Sequence, residues 1–121
     1  MDLIKKNSNL DEFLILSLRN RQEIININSI NFIQKVNDRH VVISTLTAEY
    51  TIQSTLKNIW NILENKNIFF RSHKSFIINL KQIKSINRFS NSYCVNFKRT
   101  EKRAILSRDN KKKLQDLIIS I

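Results

Sequence analysis

Neither glycine nor proline occurs in the 121 residues. Glycine-rich phosphate loops of the P-loop or dinucleotide-binding kind are thereby excluded. Turns must be made by Asn, Asp and Ser, of which Asn and Asp best tolerate the left-handed backbone region. Cys94 is the one cysteine, so neither an intramolecular disulfide nor a cysteine-rich zinc site can form. No apolar run approaches the roughly 20 residues that carry a helix across a bilayer. The opening, Met1 to Asn9, has no apolar signal-peptide core. The default expectation is a cytoplasmic protein that meets no membrane and carries no cofactor.

Acidic residues are also scarce, 10 against 21 Lys and Arg, for a formal net charge of +11. The imbalance is not spread evenly. Residues 1–70 hold 8 Lys and Arg against 7 Asp and Glu, whereas residues 71–113 hold 13 against Glu101 and Asp109 alone. A basic half on a folded domain is the electrostatic footprint of a polyanion partner. The bland alternative is a solvated basic face kept for solubility.

What is present is enough for a core. Hydrophobic residues make up 41% of the chain, and its length suits one domain. Residues 1–11 read as a polar lead-in and 12–121 as the domain. Strand-like runs follow one another: Phe13 to Leu18, Ile25 and Ile27 alternating with Asn, then Ile30, Phe32 and Ile33. After a polar tip at Asn37-Asp38-Arg39 come Val41 to Thr45 and Glu49 to Gln53. The period then changes. Leu56, Ile59, Trp60 and Leu63 form one helical stripe, with Ser54 as N-cap. Strand character returns at Ile68 to Phe70, Phe76 to Ile78, Ile83 and Ile86, and at Tyr93, Val95 and Phe97. Tips are expected at Asn91-Ser92 and over 99–102, and Ala104 to Leu106 make a short last strand. A final helix, capped by Ser107, should carry Leu114, Leu117, Ile118 and Ile121 on one face. The class is mainly β (α+β): antiparallel sheets with two short helices.

The block Phe69-Phe70-Arg71-Ser72-His73-Lys74-Ser75-Phe76-Ile77-Ile78-Asn79-Leu80 resembles the central signature of LytTR domains. That signature is an aromatic, Arg, a small residue, His, a polar residue, Ser, an aromatic, two aliphatics and Asn. Ile83 to Ile86 is similar to the family's next strand, and Leu106-Ser107-Arg108-Asp109-Asn110-Lys111-Lys112 to its closing Ser-Arg and basic helix. The similarity runs in register over about residues 12–118, and the two motifs lie at the family's separation. It implies an elongated, mostly-β fold whose loops, rather than a recognition helix, enter successive major grooves of double-stranded DNA. It also implies transcription regulation at promoter repeats, with two molecules per tandem site. Such domains usually follow a receiver domain. The sequence fits a standalone regulator or an excised domain, and its Met1 start favours the former.

The resemblance implies base contacts by His40, Lys74 and Arg108. Arg and Lys donate to the O6 and N7 acceptors of guanine, Arg in bidentate fashion, and a neutral His can donate or accept. The family often has an amide or other polar residue where Lys74 stands. Backbone contacts are expected from Arg39, Arg71, Ser75, Lys81, Arg88, Lys102, Lys111 and Lys112, because cations and hydroxyls bind phosphate oxygens without reading sequence. The free amides of the last helix's first turn can add to them. His73 and Asn79 read as structural, a packed His and a turn-fixing Asn. Trp60 and the Phe residues read as core rather than base-stacking groups.

His40, His73, Glu49 and Glu64 have no metal-ligand spacing, and no enzyme is expected. RNA binding stays open on charge alone, although the paired aromatics of an RRM are absent. A protein-interaction module with a basic face meeting an acidic partner stays open too.

Overall fold

The computed structural model describes residues 12–118. The chain runs through β1 (Phe13–Ser17), β2 (Gln22–Asn26), β3 (Ile30–Lys35), β4 (His40–Thr45), β5 (Glu49–Gln53), α1 (Leu56–Leu63), β6 (Phe69–His73) and β7 (Phe76–Asn79). It continues through β8 (Ile83–Phe89), β9 (Ser92–Phe97), β10 (Arg103–Leu106) and α2 (Arg108–Leu117). All strand pairings are antiparallel, in a two-stranded sheet β1-β2, a five-stranded sheet β5-β4-β3-β7-β6 and a three-stranded sheet β10-β9-β8.

The central strands carry unbroken apolar runs because the five-stranded sheet is covered on both faces. Ile33 and Ile77, paired across β3 and β7, face one core together with Val41, Ile43, Leu16, Ile25 and the α1 residues Leu56, Ile59 and Leu63. Phe32, Phe76 and Ile78 face a second core, with Val95, Phe97, Ala104, Leu106 and Leu114. The Phe32 and Phe97 rings meet at 5.4 Å across it. Truncating a fully buried residue such as Leu63 to Ala would cost about 2–5 kcal/mol.

The sequence reading needs correction at four points. The N-cap of α1 is Thr55, whose hydroxyl accepts from the Asn58 N–H, and not Ser54. Ser54 lies just past the end of β5, its N–H donating to the Arg39 carbonyl at 2.8 Å. The β8–β9 tip is Ser90-Asn91, one residue earlier than expected. A two-residue loop between the paired Phe89 and Ser92 needs a positive φ, and Ser90 takes it at 52°.

The third correction is the apolar face of α2, which is shorter than its pattern promised. Leu114 is buried, Leu117 is 62% exposed, and Ile118 is already extended. Ile121 and the lead-in 1–11 lie outside the described residues. The fourth concerns the aromatics: Phe32, Phe69, Phe76 and Phe97 are core and Trp60 packs partly buried on α1, but Phe13 and Phe89 are exposed.

Asn79 is the structural residue expected of it. Fully buried, it donates from Nδ2 to the carbonyls of Ile30 at 2.8 Å and Asn28 at 3.3 Å. Its Oδ1 accepts from the Lys81 N–H at 2.9 Å. One side chain thereby ties the end of β7 to the start of β3.

Candidate nucleic-acid interface

Antiparallel pairing of β3 with both β4 and β7 puts the β3–β4 tip and the β6–β7 turn at the same end of the central sheet. The Lys35 N–H donates to the Ser75 carbonyl at 2.8 Å and joins them. His40 opens β4 at this end. Its carbonyl accepts from the Val36 N–H at 3.0 Å, and its ring Nδ1 lies 3.1 Å from Asn37 Oδ1. Asn37 Oδ1 also accepts from the Arg39 N–H at 2.9 Å. Asn37 therefore shapes the tip and orients the imidazole.

Lys74 and Ser75 form the β6–β7 turn. The register of that pair shifts between Arg71 and His73, which sets Ser72 out of the ladder. Arg71 Nη2 donates to the Lys74 carbonyl at 3.3 Å, and its Nε is buried without a partner. Burial lowers the Arg71 pKa from its ordinary value, and the group remains charged. The Ser75 N–H donates to His73 Nδ1 at 3.1 Å. This requires an unprotonated Nδ1, and burial, followed by the Lys74 charge, lowers the His73 pKa in the same sense. His73 is thus a turn-bracing residue with its ring edge on Phe76.

The third loop is attached through Ser72. Its hydroxyl donates to the Ile105 carbonyl at 2.8 Å. Its own carbonyl accepts from the Ser107 N–H at 2.9 Å and from Asn110 Nδ2 at 3.3 Å. Ser107 caps α2, accepting from the Asn110 N–H at 3.3 Å. Arg108 is the next residue. His40, Lys74 and Arg108 are therefore carried by three loops locked to one another by backbone bonds.

Two concavities flank this edge. One, of about 240 Å³, is lined by Lys35, Asp38, Lys57, Arg71 and Lys74. The other, of about 790 Å³, lies between the start of β9 and α2, lined in part by Ser92, Tyr93, Arg108, Lys111 and Lys112. Arg88 adjoins it from β8. Arg39, Arg71, Ser75, Arg88, Lys111 and Lys112 are thus brought to the same edge as the three loops. Lys81 and Lys102 are not. Lys81 follows β7 at its opposite end, where its carbonyl accepts from Lys98 Nζ, and Lys102 is ion-paired with Glu49.

Lys35, Lys57 and Tyr93 were not singled out by sequence reasoning. The two lysines lie in the half of the chain that is nearly neutral overall. Tyr93 alternates with Val95 and Phe97 as a core residue would, and only its place near the sheet's end leaves it half-buried beside the cleft.

A family model described as the LytTr DNA-binding domain matches residues 20–119. The chain belongs to the LytTR family. Over 105 residues it is 28% identical to the transcriptional regulatory protein NatR of Bacillus subtilis (strain 168), covering 86% of this chain and 44% of that protein. The chain thus spans under half the length of that relative. Its fold matches a solved LytTr DNA-binding domain from Bacillus cereus with a TM-score of 0.72 at 18% identity, covering 88% of this chain and 95% of that one. As a LytTR domain it is a DNA-binding module of the kind that serves transcription regulation. Among the described residues no helix is long and apolar enough to cross a membrane, and no group of three or more His, Cys, Asp or Glu could hold a metal ion.

Proposed function

We propose that this domain binds double-stranded DNA sequence-specifically, with the loops bearing His40, Lys74 and Arg108 entering successive major grooves. It does so at promoter repeats, two molecules to a tandem site. The observation that carries the reading is the pair of backbone links, Lys35 to Ser75 and Ser107 to Ser72, which fixes the three loops relative to one another at one edge. Rigid spacing of base-reading groups is what reading several grooves at once requires, because a loop that must order itself on binding loses affinity to entropy.

Phosphate contacts come from Arg39, Arg71, Ser75, Arg88, Lys111 and Lys112 around those loops. Lys81 and Lys102 sit away from this edge and fit at most a flanking backbone contact. DNA is favoured over structured RNA because the major groove of duplex RNA is too deep and narrow for side chains to read. The test is selection from a random duplex library, followed by titration of the selected duplex with structured RNA and scrambled DNA as competitors. The expected result is one enriched motif, displaced by unlabelled cognate duplex and poorly by the other two. Equal competition by RNA, or no enriched motif, defeats the proposal.

A further inference from the structure

Tyr93 lines the cleft beside Arg108. It is paired with Arg88 on β8 and Leu106 on β10, next to the turn that Ser90 closes. One side of its ring packs on the margin of the second core. Lys111 Nζ lies 4.3 Å from the ring centroid, a cation–π contact. Hydrogen bonding by Lys111 and its positive charge, with Arg88 adding to both, draw the phenol's pKa below its usual value.

Two adjoining concavities, of about 790 and 350 Å³, share Ser92, Tyr93 and Arg108 as a common wall. Arg88, Arg108, Lys111 and Lys112 line them, against the carboxylates of Asp109 and Asp116. Among the described residues none of those four cations is in an ion pair. Cations from two separate elements therefore converge on one ring. Their mutual repulsion is relieved by an anion between them.

We propose that the cleft between the β8–β9 turn and α2 is a binding site for a DNA phosphate, with Tyr93 as the positioning residue that holds Lys111 toward it. The inference rests on the DNA-binding reading and deepens it. A free lysine loses its rotamer freedom when it grips a phosphate. The Tyr93 ring removes part of that cost before DNA arrives. A phosphate held here lies beside Arg108, so it sets which base edge that guanidinium meets.

The test titrates the selected duplex over a salt series with wild type, Tyr93→Leu, Lys111→Gln and the double variant, each checked for folding by thermal melting. Tyr93→Leu is expected to weaken binding about fivefold. It should also flatten the log–log salt slope by about 0.9, the signature of one lost phosphate contact. The double variant should bind no more weakly than the weaker single one. An unchanged slope for Tyr93→Leu, or additive losses in the double variant, overturns the inference. Should Tyr93→Leu fail to fold, Lys111→Gln decides alone, since a wild-type slope there removes the phosphate. Wild type that fails to bind the duplex at all defeats the underlying reading instead.

Discussion

The Ser107 N–H donates to the Ser72 carbonyl at 2.9 Å, joining the N-cap of α2 to the register shift in β6. Ser72 is two residues before Lys74, and Ser107 is one before Arg108. A single backbone bond thus sets the spacing of two candidate base-reading side chains. β6 is the edge strand of its sheet and Ser72 stands out of register with β7, so its carbonyl is free to accept from α2 instead.

Removing either serine should loosen this junction. Ser107→Ala deletes the acceptor for the Asn110 N–H and should cost about 1 kcal/mol in urea denaturation. Ser72→Ala leaves the Ile105 carbonyl without its donor in a buried setting and should cost about 1–3 kcal/mol. Both should weaken cognate DNA binding more than random DNA binding, measured on folded protein. Equal losses on the two duplexes would detach the junction from specificity.

Binding should weaken steeply with salt. Each phosphate neutralised adds about −0.9 to the slope of log affinity against log salt. With five cations, Arg39, Arg71, Arg88, Lys111 and Lys112, among the proposed backbone contacts, the slope should be severalfold steeper than one contact gives. Titrations of one duplex at several salt concentrations measure it, and a flat response rules out DNA as the partner.

Two copies should share a tandem site. If the repeats are spaced by whole turns of roughly 10 bp, both copies lie on one face of the duplex. Inserting half a turn between them should impair joint occupancy in a footprint. Unchanged occupancy would mean that the copies bind independently.

Arg108 separates base reading from general attraction. Arg108→Ala should cost about 1–3 kcal/mol on the cognate duplex and relax preference at one base position. Lys112→Ala should weaken cognate and scrambled duplexes alike, as a phosphate contact does. Arg108→Lys should rescue only in part, because an ammonium lacks the planar fork of a guanidinium. If Arg108→Ala lowers both affinities by the factor seen for Lys112→Ala, Arg108 is a phosphate anchor and the last loop does not read bases.

The linear pattern by itself determined the class and most of the elements. Alternation over Tyr50 and Ile52, the β-branched run from Val41, and the stripe Leu56, Ile59 and Leu63 each follow from local periodicity, which one strand or helix turn enforces. The family was legible because Arg71 to Asn79 and Ser107-Arg108 are contiguous motifs. Tertiary structure decided the rest. Nothing local marks Ser72 as the residue that leaves its ladder, Lys102 as the partner of Glu49, or Tyr93 as the ring beneath Lys111. Each depends on residues far apart in the chain meeting where sheets and helix pack. The same packing ended the apolar face of α2 at Leu114 and left Lys81 at the wrong end of β7. Periodicity shows which side of an element is apolar; only the packing of that element on its neighbours fixes how much of that side is covered and at which end its charges emerge.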